Sequence, residues 1–277
     1  MKAFRPGIER SGLETLKREN PTKLSVAIIT KNEEERLPEC LKSVFFADEV
    51  LVVDSGSIDR TVEIAKSLRA KVIIEHWRGF SEQKQFAVNR CKNDWVMVLD
   101  ADERVPKGTA KIIQEELSKG ETDIQAYSFR RKNYLHGRWI KHCGWWPDQI
   151  VRLVNRRRGR FDGRLVHEKW IVDGKVKSLG AFIEHVSFRN YSDLVAKMEN
   201  YSNLASEEMM LNDVRVGPLT PIGHGVWMFI ESYLLQMGIL DGFDGFVISI
   251  MNAGGSFLKY AKLREQYIKN GTLNSKI

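Results

Sequence analysis

Three carboxylates stand at the end of an apolar run: Trp95-Val-Met-Val-Leu99 passes directly into Asp100-Ala101-Asp102-Glu103. The run reads as a buried strand, and two acids one residue apart at its end can both be presented at the carboxyl edge of a sheet. Carboxylate oxygens there suit a hard divalent cation, and that edge is where open α/β sheets bind ligands. The chemistry implied is metal-assisted handling of a phosphate-bearing substrate. The same acids also suit a solvated turn or a helix N-cap, so the functional reading depends on whether the preceding chain builds a nucleotide site.

That chain has the necessary elements. Leu24 to Ile29 is an apolar, β-branched run followed by polar Thr30-Lys31-Asn32-Glu33-Glu34-Glu35, and Leu37, Leu41 and Val44 then share a helix face with Pro38 in its first turn. The unit recurs. Val50 to Val53 predicts a strand, Asp54-Ser55-Gly56-Ser57 a turn and Asp59 to Arg69 a helix; Val72 to Ile74 predicts a strand, and Ser81 to Cys91 a helix before the strand that ends in the acids. Such alternation specifies an α/β fold with a mostly parallel, doubly wound, Rossmann-like central sheet. Neither a Gly-x-Gly-x-x-Gly after the first strand nor a Walker lysine motif is present. Instead, small polar and acidic residues end the first two strands, where a base and ribose could sit. Asp54 suits a hydrogen bond to a pyrimidine or ribose, and equally a turn-capping role before the next helix.

In their order, Leu24-Ser-Val-Ala-Ile-Ile-Thr-Lys-Asn-Glu33, Val52-Val-Asp-Ser-Gly-Ser-Ile-Asp-Arg-Thr61 and Leu99-Asp-Ala-Asp-Glu103 resemble the family 2 glycosyltransferases, which have a GT-A fold. The resemblance implies a nucleotide-sugar site in which Thr30, Asn32 and Glu33 lie beside the nucleoside, Asp54 meets the base, and Asp100 and Asp102 serve the ribose and a divalent metal, Mg²⁺ or Mn²⁺. Lys84 in Gln83-Lys84-Gln85 stands where the family often places an arginine before an asparagine, which implies contact with the diphosphate; a surface-helix lysine is the alternative.

Between Gln125 and Trp170 the pattern changes to aromatic and basic strands with glycine turns. Aromatic faces suit sugar rings, and Arg or Lys suits acceptor phosphates or carboxylates. Trp145 and Trp146, flanked by Gly144 and Pro147, are the expected ligand-facing pair, with Arg152 among the acceptor-binding cations; the alternative is a hairpin whose tryptophans are core. Trp146-Pro-Asp148, Arg152-Leu153, Phe161-Asp-Gly163 and Val166-His167-Glu168, with Gly238-Ile-Leu-Asp-Gly242 and Asp244-Gly-Phe246, narrow the resemblance to bacterial lipopolysaccharide core glucosyltransferases that add β-linked glucose to an inner-core heptose. That implies an inverting single displacement from uridine diphosphate glucose to a glycolipid. The base is assigned to Glu168, with Asp148 second, and His167 is a candidate to join Asp102 on the metal. The same fold acting on polyprenyl phosphate, a capsule sugar or a peptide is the enzymatic alternative; a non-catalytic nucleotide- or glycolipid-binding module is the other.

The division expected is an N-terminal extension over 1–21, a GT-A domain over 22–190 and a helical C-terminal region over 191–277. In the last, Leu194, Met198, Tyr201, Leu204 and Ala205 make an apolar helix face, and the stretches after Val226 are apolar almost all round. Core packing competes there with a membrane-interfacial role beneath basic Lys259, Lys262 and Arg264; shallow attachment to the cytoplasmic face of the bacterial inner membrane is the expectation. Met1 to Asn20 lacks the apolar core of a signal peptide, so export is not expected. Three widely spaced cysteines suggest neither a disulfide framework nor zinc. The net charge of +7 is concentrated at Arg156-Arg-Arg158 and Arg160, but no recognised nucleic-acid motif accompanies that cluster, and a nucleic-acid partner is not expected.

Overall fold

The computed structural model describes residues 22–120, 123–164 and 168–271. The expected extension over 1–21, and His167, lie outside these residues. In chain order the first half runs β1 (Leu24–Thr30), α1 (Leu37–Ser43), β2 (Glu49–Asp54), α2 (Thr61–Ser67), β3 (Lys71–Ile74), α3 (Phe80–Arg90), β4 (Trp95–Asp100), β5 (Glu103–Arg104) and α4 (Lys107–Ser118). It continues through β6 (Ile124–Leu135), β7 (Arg138–Trp139), β8 (Asp148–Asn155), β9 (Gly159–Phe161), β10 (Trp170–Val172) and β11 (Lys175–Phe188). The carboxyl-terminal helices are α5 (Tyr191–Leu211), α6 (Thr220–Ile230) and α7 (Gly242–Lys269), with a π-helical turn at Glu231–Leu235 and a 3₁₀ turn at Gly238–Asp241 between the last two.

Among the described residues the main sheet is ordered β3-β2-β1-β4-β8-β6-β11-β5, with β7 on β6. The pairings from β3 to β4 are parallel; β8 then lies antiparallel between β4 and β6, and β11 runs parallel to β6. The alternating β/α half is therefore the parallel half, while the aromatic and basic half extends it with long-range pairings. β1 is buried along its whole length because both faces are covered. Val26 and Ile28 join Leu37, Leu41 and Ile113 on one face, whereas Ala27 and Ile29 join Ala87, Val88 and Trp170 on the other. This is the period of two expected of a strand packed on both sides.

The helical appendage docks through Asp241. Its carboxylate accepts the backbone N–H groups of Lys141 (3.1 Å) and His142 (2.8 Å), and Arg138 donates to its carbonyl at 2.9 Å. Gly245 sits so close to the chain that a Cβ there would lie 1.9 Å from the Gly238 carbonyl oxygen, and a Cβ on Gly238 would lie 2.7 Å from that of Ser232. The glycines of the Gly238-to-Phe246 motif thus permit a backbone approach that no side chain allows.

Candidate active site

Thr30 pairs in register with Asp54, and Ile29 with Asp100, so the carboxyl ends of β1, β2 and β4 lie level at one edge. A cleft of about 1360 Å³ opens there, bounded opposite by α5 and α7. Thr30, Glu33, Asp100, Asp102, Trp145 and Asp148 line it. The buried Thr30 Oγ1 has no hydrogen-bond partner among the described residues. Asn32 and Asp54 act one step back. Asn32 accepts the Ile58 N–H at 2.9 Å and donates its own N–H to Ser57 at 2.8 Å. Asp54, fully buried, accepts from the N–H groups of Gly56 (3.0 Å) and Ser57 (2.8 Å) and from the Ser57 hydroxyl. Its carboxylate orders the turn, the second of its two sequence readings.

Beneath Asp100 lies a layer of compensated charge. Lys84 is 2% exposed and approaches Asp100 Oδ1 at 2.8 Å and Glu168 Oε1 at 2.6 Å. Arg152 donates to Asp100 Oδ2 at 2.8 Å and to the fully buried Glu103 at 2.6 Å, and Arg131 links Glu103 (3.5 Å) to Asp148 (2.7 Å). Burial opposes charge on Asp100, but Lys84 and Arg152 outweigh it and hold the carboxyl below the usual range. The expected site residues Lys84, Arg152 and Trp146 are not among those that line the cleft. Lys84 is neither a surface lysine nor on the cleft wall; it is the buried counter-ion of two carboxylates. Arg152, expected on the acceptor, has a buried guanidinium bonded to two acids, Asp100 and Glu103. Trp146 packs edge-on to Trp139 at 5.1 Å and beneath Arg130, away from the cleft that Trp145 lines.

Asp102 meets a residue that sequence reasoning missed. His185 Nε2 lies 3.3 Å from Asp102 Oδ2, while His185 Nδ1 is 2.6 Å from Asn133 Oδ1. The approach is set by β11, where His185 pairs with Glu103 and Val186 donates to the Asp102 carbonyl at 2.9 Å. Burial resists ionisation of Asp102, yet His185, Lys197 and Arg36 hold its carboxyl well below the ordinary value; burial pushes the His185 pKa down. The available signal was modest: Ala181, Ile183 and His185 share one buried register of a strand. The basic Arg156–Arg158 cluster lies in the turn between β8 and β9, with Arg157 bonded to Asp94 at 2.7 Å.

Residues 25–171 match the family model described as glycosyl transferase family 2. The chain belongs to this family. An uncharacterised glycosyltransferase of Rickettsia typhi is 32% identical over 263 residues, covering 90% of this chain and 89% of that one. A lipopolysaccharide core biosynthesis glycosyltransferase of Rhizobium meliloti, LpsC, is 29% identical over 257 residues, covering 88% and 93%. Among solved structures, S. aureus TarS in complex with UDP aligns over 90% of this chain and 92% of that one, with a TM-score of 0.44 at 15% identity.

In this family 2 glycosyltransferase, the parallel half, with its acids at the carboxyl edge, is the GT-A core. Asp102 Oδ2 and His185 Nε2 lie 3.3 Å apart at the cleft, and this carboxylate and imidazole would be the side chains to hold a divalent cation such as Mn²⁺. Among the described residues no three His, Cys, Asp or Glu side chains form a metal cage. A cation held here would need further ligands from outside these side chains, a role that phosphate oxygens and water would suit.

Proposed function

We propose that this glycosyltransferase moves glucose, with inversion, from uridine diphosphate glucose to a glycolipid of the lipopolysaccharide inner-core type at the cytoplasmic face of the bacterial inner membrane. The observation that carries the reading is that one cleft is lined by Asp100 and Asp102 from the sheet edge and by Lys197 and Lys259 from the helical appendage. The likeness to LpsC supports the acceptor class.

Asp148 is the base in this reading, in place of Glu168. It lines the cleft with Asp100 and Asp102, and both its partners, Arg131 and Asn133, bond to Oδ2. Oδ1 is left to take the acceptor proton. Glu168 is likewise ion-paired through one oxygen, to Lys84, but is not among the residues that line the cleft. As Asp148 takes the proton, the acceptor oxygen attacks the anomeric carbon. The bond to the diphosphate breaks on the opposite face, and the nucleotide leaves with the electron pair. Thr30 and Glu33 bind the nucleoside end, Asp54 and Asn32 keep their loops in place, and Trp145 offers an aromatic face to the sugar. Asp102 and His185 would hold a divalent cation, which would supply positive charge to the leaving diphosphate.

Membrane attachment is assigned to the α6–α7 hairpin, where Trp227, Phe243 and Leu235 are more than half exposed. No single described helix is long and apolar enough to cross a bilayer; α6 and α7 are bent by 67° at their junction, which suits lying in the interface. Lys262 is already bonded to Glu199 at 2.8 Å, so apolar area carries more of the attachment than the basic flank.

The test is transfer from labelled uridine diphosphate glucose by purified variants. Asp148→Asn is expected to lower kcat by about 10²–10⁴-fold, the usual range for losing a general base, with nucleotide binding retained. Glu168→Gln is expected to retain more activity than that; the reverse ranking returns the base to Glu168.

A further inference from the structure

The cleft does not stop at the acids. Lys197, Tyr201, Ala205, Met209 and Asn212 follow one face of α5 and all line it. From Lys197 to Asn212, at ~1.5 Å per helical residue, the wall runs about 22 Å from the reaction centre. That is far longer than a sugar needs. Met198, Met209, Met228 and Met251 line the cleft along its length, together with Gly255. Methionine side chains are apolar and adapt their shape, which suits a flexible chain more than a rigid sugar ring. The groove lies on the inward side of the same hairpin whose outward side exposes Trp227 and Phe243.

One charge in this stretch is uncompensated. Lys259 lies on the inner face of α7, one and two turns from Gly255 and Asn252, and lines the cleft. It makes no hydrogen bond or ion pair among the described residues; its neighbour is the Tyr260 ring, with Nζ 5.1 Å from the centroid. Partial burial lowers its pKa, with no carboxylate opposing the shift. Glu208 lines the groove from α5 and does not pair with it. A half-buried ammonium without a counter-ion, beside an apolar groove, is matched by an anion attached to an alkyl chain.

We infer that the groove between α5, α6 and α7 is the acceptor-lipid subsite, holding an alkyl chain along its methionines and a phosphate monoester on Lys259. This rests on the reading of the acceptor as a membrane glycolipid and adds where its lipid-phosphate part sits. The anchor would leave the rest of the acceptor to reach Trp145 and Asp148.

The probe is dodecyl phosphate below its micellar concentration, titrated into the full chain by calorimetry beside inorganic phosphate and dodecyltrimethylammonium. Dodecyl phosphate is expected to bind more tightly than either. Lys259→Met is expected to weaken it about tenfold or more, as for loss of one charge-assisted hydrogen bond, and Lys259→Arg to restore it. Ala205→Leu, which narrows the groove, weakens the alkyl phosphate but not inorganic phosphate. Equal binding of inorganic phosphate, equal binding of the cationic amphiphile, or indifference to Lys259→Met overturns the subsite. Thermal shifts with uridine diphosphate on the same samples separate the causes: a retained nucleotide shift confines the failure to this subsite. Its absence in the wild type overturns the donor reading, and the acceptor assignment with it.

Discussion

Lys84 is a buried cation held between two carboxylates, Asp100 and Glu168, and its loss would leave the two facing each other without it. Breaking one partner of a buried ion pair costs about 3–5 kcal/mol. Lys84→Met is therefore expected to lower unfolding free energy in urea by about 3 kcal/mol, with partial recovery in Lys84→Met/Glu168→Gln; a loss of under about 0.5 kcal/mol would mean the network is not formed. Glu33 offers a test by pH. Burial, reinforced by Asp102 and opposed by Arg36, raises its pKa from 4.5 to about 7. Between about pH 4.5 and 7 the folded protein keeps a proton that the unfolded chain has lost, so this group's contribution falls as pH rises through that window. Stability of Glu33→Gln relative to the wild type should improve from about pH 4 to about pH 8, and a pH-independent difference would contradict the assignment. Both residues stood in the sequence beside recognisable motifs. What the sequence did not carry was the depth of Lys84, since a lysine on α3 looks the same whether its helix face meets water or acids.

The elements of the donor half were legible because each is locally determined. β1 and β4 are continuous apolar runs ended by polar residues, and their register alone brings Thr30, Asp54 and Asp100 level. His185 was not legible for the opposite reason: it reaches Asp102 only through β11 pairing with β5, a contact between distant parts of the chain. The same holds for Arg152, whose partners lie on β4 and β5. The docking motif of the appendage is read by its glycines. Gly245→Ala places a methyl group against the Gly238 carbonyl, and overpacking of this kind typically costs about 1–3 kcal/mol. Thermal unfolding of that variant should show the loss, together with weakened nucleotide-dependent transfer; an unchanged midpoint would mean the turn opens freely. The exposed hairpin makes a separate prediction. Trp227→Ser/Phe243→Ser is expected to abolish sedimentation with anionic vesicles while changing stability little, because both side chains are largely exposed. Undiminished sedimentation would remove the hairpin from the membrane contact.

At the scale of the whole molecule, the acids and the helices act on one space. The carboxyl edge of the parallel strands supplies Asp100 and Asp102, the antiparallel half supplies Asp148, and α5 and α7 close the opposite wall with Lys197 and Lys259. Family membership covers the first part of this arrangement, residues 25–171, and the appendage adds the groove beyond it. In this arrangement the cleft is a donor site organised by Asp102. Thermal stability with uridine diphosphate and a panel of nucleotide sugars, each with and without Mn²⁺, tests it most directly, because a ligand selective for the folded state raises its apparent stability. A metal-dependent upward shift is expected for uridine diphosphate and for its glucose derivative, lost in Asp102→Ala. No shift with any nucleotide in a folded sample, or an equal shift in Asp102→Ala, would contradict it.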